Sequence, residues 1–174
     1  SAQGNHLAYR ARTGDKELVV ADGKPGAPHR SVGVPVWSAD GTSLAYYACD
    51  DDCTVIHDGA KTGVYAAPNN PVLSADGKHL AFSIHEGDKE RVVANDKGQD
   101  VYDKVWNLSI SPDGKSVIYA GESAGHYSVI LNGKPLGTYE YTGKFRFSPD
   151  GGKVAFSARK GAELRWEVFS TTPR

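Results

Sequence analysis

The sequence predicts an all-β fold, a β-propeller of about five four-stranded antiparallel blades of ~37 residues, with the first and last blades incomplete. Three observations carry this. A serine-centred turn phrase recurs from Ser1, Ser38, Ser74, Ser111 and Ser148. Short β-branched runs follow each copy 17–20 residues on, with glycine-bearing turns between them. No window of useful length shows a helical period.

The clearest copy of the phrase is Phe147-Ser148-Pro149-Asp150-Gly151-Gly152-Lys153-Val154-Ala155-Phe156. In each unit a first strand, a, approaches the turn, as in Val34-Pro35-Val36-Trp37 or Lys144-Phe145-Arg146-Phe147. The turns Ser-x-Asp-Gly use Asp40-Gly41, Asp76-Gly77, Asp113-Gly114 and Asp150-Gly151. Proline presets φ at the second position, aspartate suits the third and glycine accepts the left-handed region. Ala39 and Ala75 replace proline in two copies, and Gln3 replaces aspartate in the first.

Strand b follows as Leu7-Ala8-Tyr9, Leu44-Ala45-Tyr46, Leu80-Ala81-Phe82, Val117-Ile118-Tyr119 and Val154-Ala155-Phe156. Large residues flank a mostly small one, as a sheet packed on both faces requires. Strand c carries the strongest strand signals, such as Leu18-Val19-Val20 and Val129-Ile130-Leu131. Asp22-Gly23, Asp58-Gly59 and Asn132-Gly133 mark type I′ hairpins, with Asn95-Asp96 in the same place in the third unit. Strand d is short and polar, as expected of an outer edge, with Tyr65, Tyr102 and Tyr139 in register and His29 standing in the first unit. The chain therefore reads as one propeller domain, 1–174, of units 1–37, 38–73, 74–110, 111–147 and 148–174. A solenoid of such hairpins is the structural alternative.

The phrases Phe147-Ser148-Pro149-Asp150-Gly151 with Val154-Ala155-Phe156, and Ile110-Ser111-Pro112-Asp113-Gly114-Lys115 with Ile118-Tyr119, resemble the repeat of TolB-type, WD-like bacterial β-propellers. The resemblance covers all five units. It implies an exported bacterial protein, periplasmic or extracellular, that uses its faces for protein contacts. The same family includes envelope scaffolds and propellers appended to peptidases. A non-catalytic scaffold binding a protein partner in the cell envelope is thus the expectation. An accessory propeller of a larger, peptidase-type enzyme and a carbohydrate-binding propeller are the alternatives.

Composition narrows the field. Twenty basic and twenty-one acidic residues give a net charge of −1 without a basic block, so nucleic acid is not an expected partner. No stretch approaches a membrane span. The chain has no methionine, even at its start, which is expected of a processed or excised piece. Unit one lacks strand a and unit five stops before strand d, so self-association through open blade edges is a further expectation.

Each chemical motif has a plainer reading. Gly121-Glu122-Ser123-Ala124-Gly125 matches the nucleophile elbow G-x-S-x-G, but a strand rather than a helix follows it, so a hairpin is expected and no catalytic residue is assigned. The recurring turn aspartates are expected on separate outer hairpins, too dispersed to act as a carboxylate pair on one sugar. Cys49 and Cys53 flank Asp50-Asp51-Asp52, and their spacing suits a disulfide across a hairpin. Free thiols remain an alternative, as does a metal site with His57, which lacks an evident fourth ligand. No metal or cofactor is assigned. Asn107-Leu108-Ser109 is a formal glycosylation sequon on a predicted inner strand.

Partner-binding candidates lie where the repeats differ most, on the face formed by the b–c and d–a loops: Trp106, Tyr141, Arg30, His126 and His85. Trp106 leads, because the equivalent junctions carry Gly33, Asn69 and Gly143.

Overall fold

A computed structural model describes residues 1–95 and 97–172. Those residues form no helix, and their strands pair antiparallel in five sheets that follow one another along the chain. The first sheet is β1 (Ala8–Thr13), β2 (Lys16–Ala21) and β3 (Lys24–Pro25). The second holds β4 (Ser31–Val32), β5 (Val36–Trp37), β6 (Leu44–Cys49), β7 (Cys53–His57) and β8 (Ala60–Tyr65). In the third, β9 (Val72–Leu73), β10 (Leu80–Glu86), β11 (Lys89–Ala94) and β12 (Lys97–Tyr102) run as a meander. The fourth repeats it with β13 (Lys104–Ile110), β14 (Val117–Ser123), β15 (His126–Leu131) and β16 (Lys134–Tyr139). The fifth comprises β17 (Tyr141–Thr142), β18 (Arg146–Phe147), β19 (Lys153–Lys160) and β20 (Glu163–Ser170). This succession of antiparallel meanders is propeller-like.

The predicted turns take their expected form. Asp22, Gly23, Asn132 and Gly133 all have positive φ, as both centres of a type I′ hairpin must. Their side chains do more than tolerate the turn: Asp22 Oδ1, Asp58 Oδ1 and Asn132 Oδ1 each accept the amide that opens the adjacent b strand, at 2.7–2.9 Å. Each Ser-x-Asp-Gly turn closes on itself. Ser111 Oγ donates to Asp113 Oδ1 at 2.6 Å, Gly114 N donates to Ser111 O at 2.9 Å, and Ser116 N donates to Ser111 Oγ at 2.9 Å. The copies at Ser38, Ser74 and Ser148 repeat this pattern, so alanine in place of proline leaves the turn intact.

Two expectations need correction. The turns do not stand on isolated tips: Asp40 N donates to Ala75 O of the next sheet at 3.0 Å, and Ala75 N to Pro112 O of the one after at 2.9 Å. The phrase is thus a hydrogen-bonded link between neighbouring sheets, because a backbone group turned toward the next sheet must find a partner there. Nor is strand d wholly a polar rim. Tyr65, Tyr102 and Tyr139 each reach over to the b-strand aromatic of the following sheet, edge to face with Phe82, Tyr119 and Phe156 at 4.8, 5.9 and 5.7 Å. Burying these rings outweighs the preference for a solvated edge.

The core is correspondingly made between sheets. Ala81, Val92 and Ala94 of the third meet Val117, Tyr119 and Ile130 of the fourth. Ile118, Ala120, Val129 and Leu131 of the fourth meet Val154, Phe156 and Ala158 of the fifth. Strand alternation produces this: Val117 and Tyr119 face the third sheet, and Ile118 between them faces the fifth.

A candidate binding groove between the third and fourth sheets

The base of each b–c hairpin is a directly opposed pair of residues, and it differs in every sheet. Arg12 faces Glu17, Cys49 faces Cys53, His85 faces Glu90, Glu122 faces Tyr127 and Arg159 faces Leu164. Equivalent strand positions therefore present five different chemistries at one level of the fold.

In the second sheet the pair is covalent. Cys49 and Cys53 form a disulfide with their Cα atoms 4.0 Å apart, so neither thiol is free to bind a metal. The acidic loop between them is bound to the preceding connection. Asp50 accepts from Arg30 N at 3.0 Å and sits 2.7 Å from His29 Nδ1, and Arg30 Nη2 donates to Asp51 at 2.7 Å. The His29 hydrogen bond, followed by that of the Arg30 amide, holds the Asp50 carboxyl below its ordinary range. Arg30 is thereby engaged within the chain, on an exposed ion pair.

In the third sheet the pair faces a groove of about 610 Å³ against the fourth, lined among others by Asn69, Asn70, Ser83, His85, Glu90, Lys104 and Trp106. His85 and Glu90 reach it because alternation puts Ser83 and His85 on the same face of β10, opposite Glu90 on β11. Glu90 is the more buried of the pair, with Oε1 3.7 Å from His85 Nε2 and Oε2 accepting from Val105 N at 2.9 Å. Glu17 of the first sheet accepts the matching bond from Val32 N of the second, at 3.1 Å. Glu90 thus fixes the start of β13, which carries Trp106.

Trp106 owes its position to a trade in size with its cross-strand partner. Gly33 lies opposite Tyr47 and Gly143 opposite Ser157, each with its amide bonded to the partner's carbonyl at 2.8 Å; a Cβ on Gly33 would overlap the Tyr47 ring. Trp106 lies opposite Ala120, which leaves the space an indole needs. The β13 register shifts immediately afterwards, with Asn107 at φ 55°, and such a bulge re-aims the neighbouring side chain. Trp106 Nε1 donates to Glu122 Oε2 at 2.8 Å, Lys104 Nζ lies 5.8 Å from the ring, and the side chain remains 45% exposed. Asn107 is exposed, and its Nδ2 donates to Gly143 O of the fifth sheet at 3.2 Å.

Of the five predicted partner-binding residues, His85 and Trp106 share the groove. Arg30 lies at the disulfide loop, His126 opens β15 at an exposed hairpin, and Tyr141 opens the exposed start of β17. The sequence reading passed over Asn69, Asn70, Glu90 and Lys104. Asn69 Nδ2 donates to Ser83 Oγ at 2.8 Å and Asn70 Oδ1 accepts from Val34 N at 3.1 Å. Adjacent asparagines before β9, where two of the other junctions carry Gly33 and Gly143, were the available signal.

The esterase-like motif is a hairpin. Ser123 ends β14, faces His126 across Ala124-Gly125, and the turn centres have φ of 51° and 77°. Strand β15 follows it, where an elbow requires a helix. Among the described residues no three His, Cys, Asp or Glu side chains are grouped to hold a metal ion.

Neither protein-family profiles nor curated protein sequences give a match to this chain. Solved structures do. A crystal structure of a eukaryotic initiation factor is 16% identical, with a TM-score of 0.55 over 95% of this chain and 49% of that one. The dihydro-heme d1 dehydrogenase NirN is 20% identical, with a TM-score of 0.47 over 98% of this chain and 42% of that one. The chain thus spans about half the length of these structures or less. At such identities the likeness to the initiation factor bears on the fold alone.

Proposed function

We propose that the five sheets are the blades of a non-catalytic propeller scaffold, the first blade lacking its inner strand and the last its outer one, which binds a protein partner through the groove between the third and fourth blades. The observation that carries this is Trp106: a large aromatic left 45% exposed, yet held by Glu122 and Lys104 beside an open groove. Aromatic anchors fixed before binding lose little freedom on association and dominate interface energetics. The TolB-type resemblance supports a bacterial envelope setting, and the disulfide is compatible with an oxidising compartment.

The test is capture from bacterial envelope extract with the wild-type chain beside Trp106→Ala and His85→Ala. A stoichiometric protein retained by the wild type and lost by Trp106→Ala supports the reading. Equal capture by all three overturns it.

A second reading has its own support. Paired amides at Asn69 and Asn70, the Glu90 carboxylate and the Trp106 ring in one groove are the polar-and-aromatic set that holds a saccharide. Binding on a glycan array that disappears in Trp106→Ala would favour it over a protein partner.

A further inference from the structure

The two end sheets leave apolar faces that have no counterpart elsewhere among the described residues. Cross-strand pairing places Leu164, Trp166 and Val168 on one face of the fifth sheet, with Ala155, Ser157 and Arg159 opposite them. By strand register Trp166 occupies the position of Val19, Val55, Val92 and Val129, which are at most 3% exposed because the next sheet covers them. Trp166 is 70% exposed, and Leu164 and Val168 beside it 69% and 62%. At the other end Tyr9 is 47% exposed and Leu7 65%, although Tyr9 holds the position at which Phe82, Tyr119 and Phe156 are buried against the preceding sheet. One face is thus of the kind that each following sheet covers, and the other is of the kind that does the covering. No core cluster joins the first and fifth sheets among the described residues.

We propose that these faces meet between molecules: the fifth sheet of one copy seats on the first sheet of a second copy, head to tail. The occupant follows from the chain itself, since sheets pack this way at each internal junction and both halves of one more such junction stand exposed on every molecule. A large aromatic such as Trp166 at the centre of an apolar patch is a typical anchor for such contact. The contact is heterologous, so the two surfaces differ and each is needed only once per interface. It is distinct from the groove holding Trp106, so failure of either proposal leaves the other standing.

Sedimentation equilibrium of the 174-residue chain tests it, with Trp166→Glu, Tyr9→Glu and their equimolar mixture. Both substitutions fall on exposed side chains, and circular dichroism checks that the β fold is retained. The wild type is expected to associate. Each variant alone is expected to lose association by at least ~30-fold, the effect of removing a central aromatic anchor. The mixture is expected to form a one-to-one dimer and nothing larger, because only one intact interface remains. A monomeric wild type at high micromolar concentration overturns the proposal. So does either folded variant that associates as the wild type does, since that would mean like faces pair with like.

Discussion

The ring of Tyr102 lies directly over Gly121, so closely that a Cβ at that glycine would overlap it. Gly121 is the first glycine of the esterase-like motif, and its purpose here is to admit a tyrosine from the neighbouring sheet. Gly121→Ala is expected to force the ring aside and cost about 1–3 kcal/mol, as overpacking a filled interior does. Chemical denaturation would show a lower midpoint. Ser123→Ala, on the exposed hairpin of the same motif, is expected to leave stability within about 0.5 kcal/mol of wild type.

Phe156 concentrates the packing between the fourth and fifth sheets. It is fully buried and touches Tyr139 and Phe145 edge to face and Phe169 by stacking. Phe156→Ala is expected to destabilise the chain by about 3–5 kcal/mol, through lost burial and the cavity left behind. Tyr139→Phe keeps the ring contact and should cost far less, and thermal denaturation of the two variants would separate them.

Acid sensitivity should follow the turn aspartates. In Asp40, Asp76, Asp113 and Asp150 the serine hydroxyl, and next a turn amide, hold the carboxyl below its ordinary value of 3.8. A depressed folded value means the contribution is complete above the unfolded value and disappears as pH falls through the folded one. Stability is therefore expected to decline below about pH 3.8. In Asp113→Asn with Asp150→Asn the decline should be shallower, although the variant is less stable near neutrality. Equal slopes for the two proteins in denaturation series across that window would refute this.

The Cys49–Cys53 bridge closes a very short loop, so reduction is expected to cost no more than about 2 kcal/mol and to leave the fold in place. Intact mass after alkylation, with and without reductant, reports the bridge, and far-ultraviolet circular dichroism reports the fold.

Much of this was legible in the residues, for a definable reason. Strand order, the hairpins at Asp22-Gly23 and Asn132-Gly133, and the disulfide all depend on residues close in sequence, where spacing and local φ preferences suffice. Relations between units were not legible. Tyr139 reads as an edge residue until it is seen against Phe156, and Asp40 reads as a tip until its amide meets Ala75. The groove divided along the same line. Trp106 stood out as the odd residue at a repeated position, whereas Glu90 joins the site only because its carboxylate holds an amide of the next sheet.

The sequence period and the sheets are cut in different places. Each serine turn begins a unit with strand b, while sheets such as β9–β12 and β13–β16 begin with the strand before that turn. Deleting one unit therefore removes no sheet as it stands; it splices the first strand of one sheet to the last three of the next. The tyrosine contact recurs at the three junctions between the second and fifth sheets, so a junction created among them can reuse it. A chain of this kind can lengthen or shorten by whole units while keeping one type of interface, and the five differing hairpin pairs are where its units are chemically distinct.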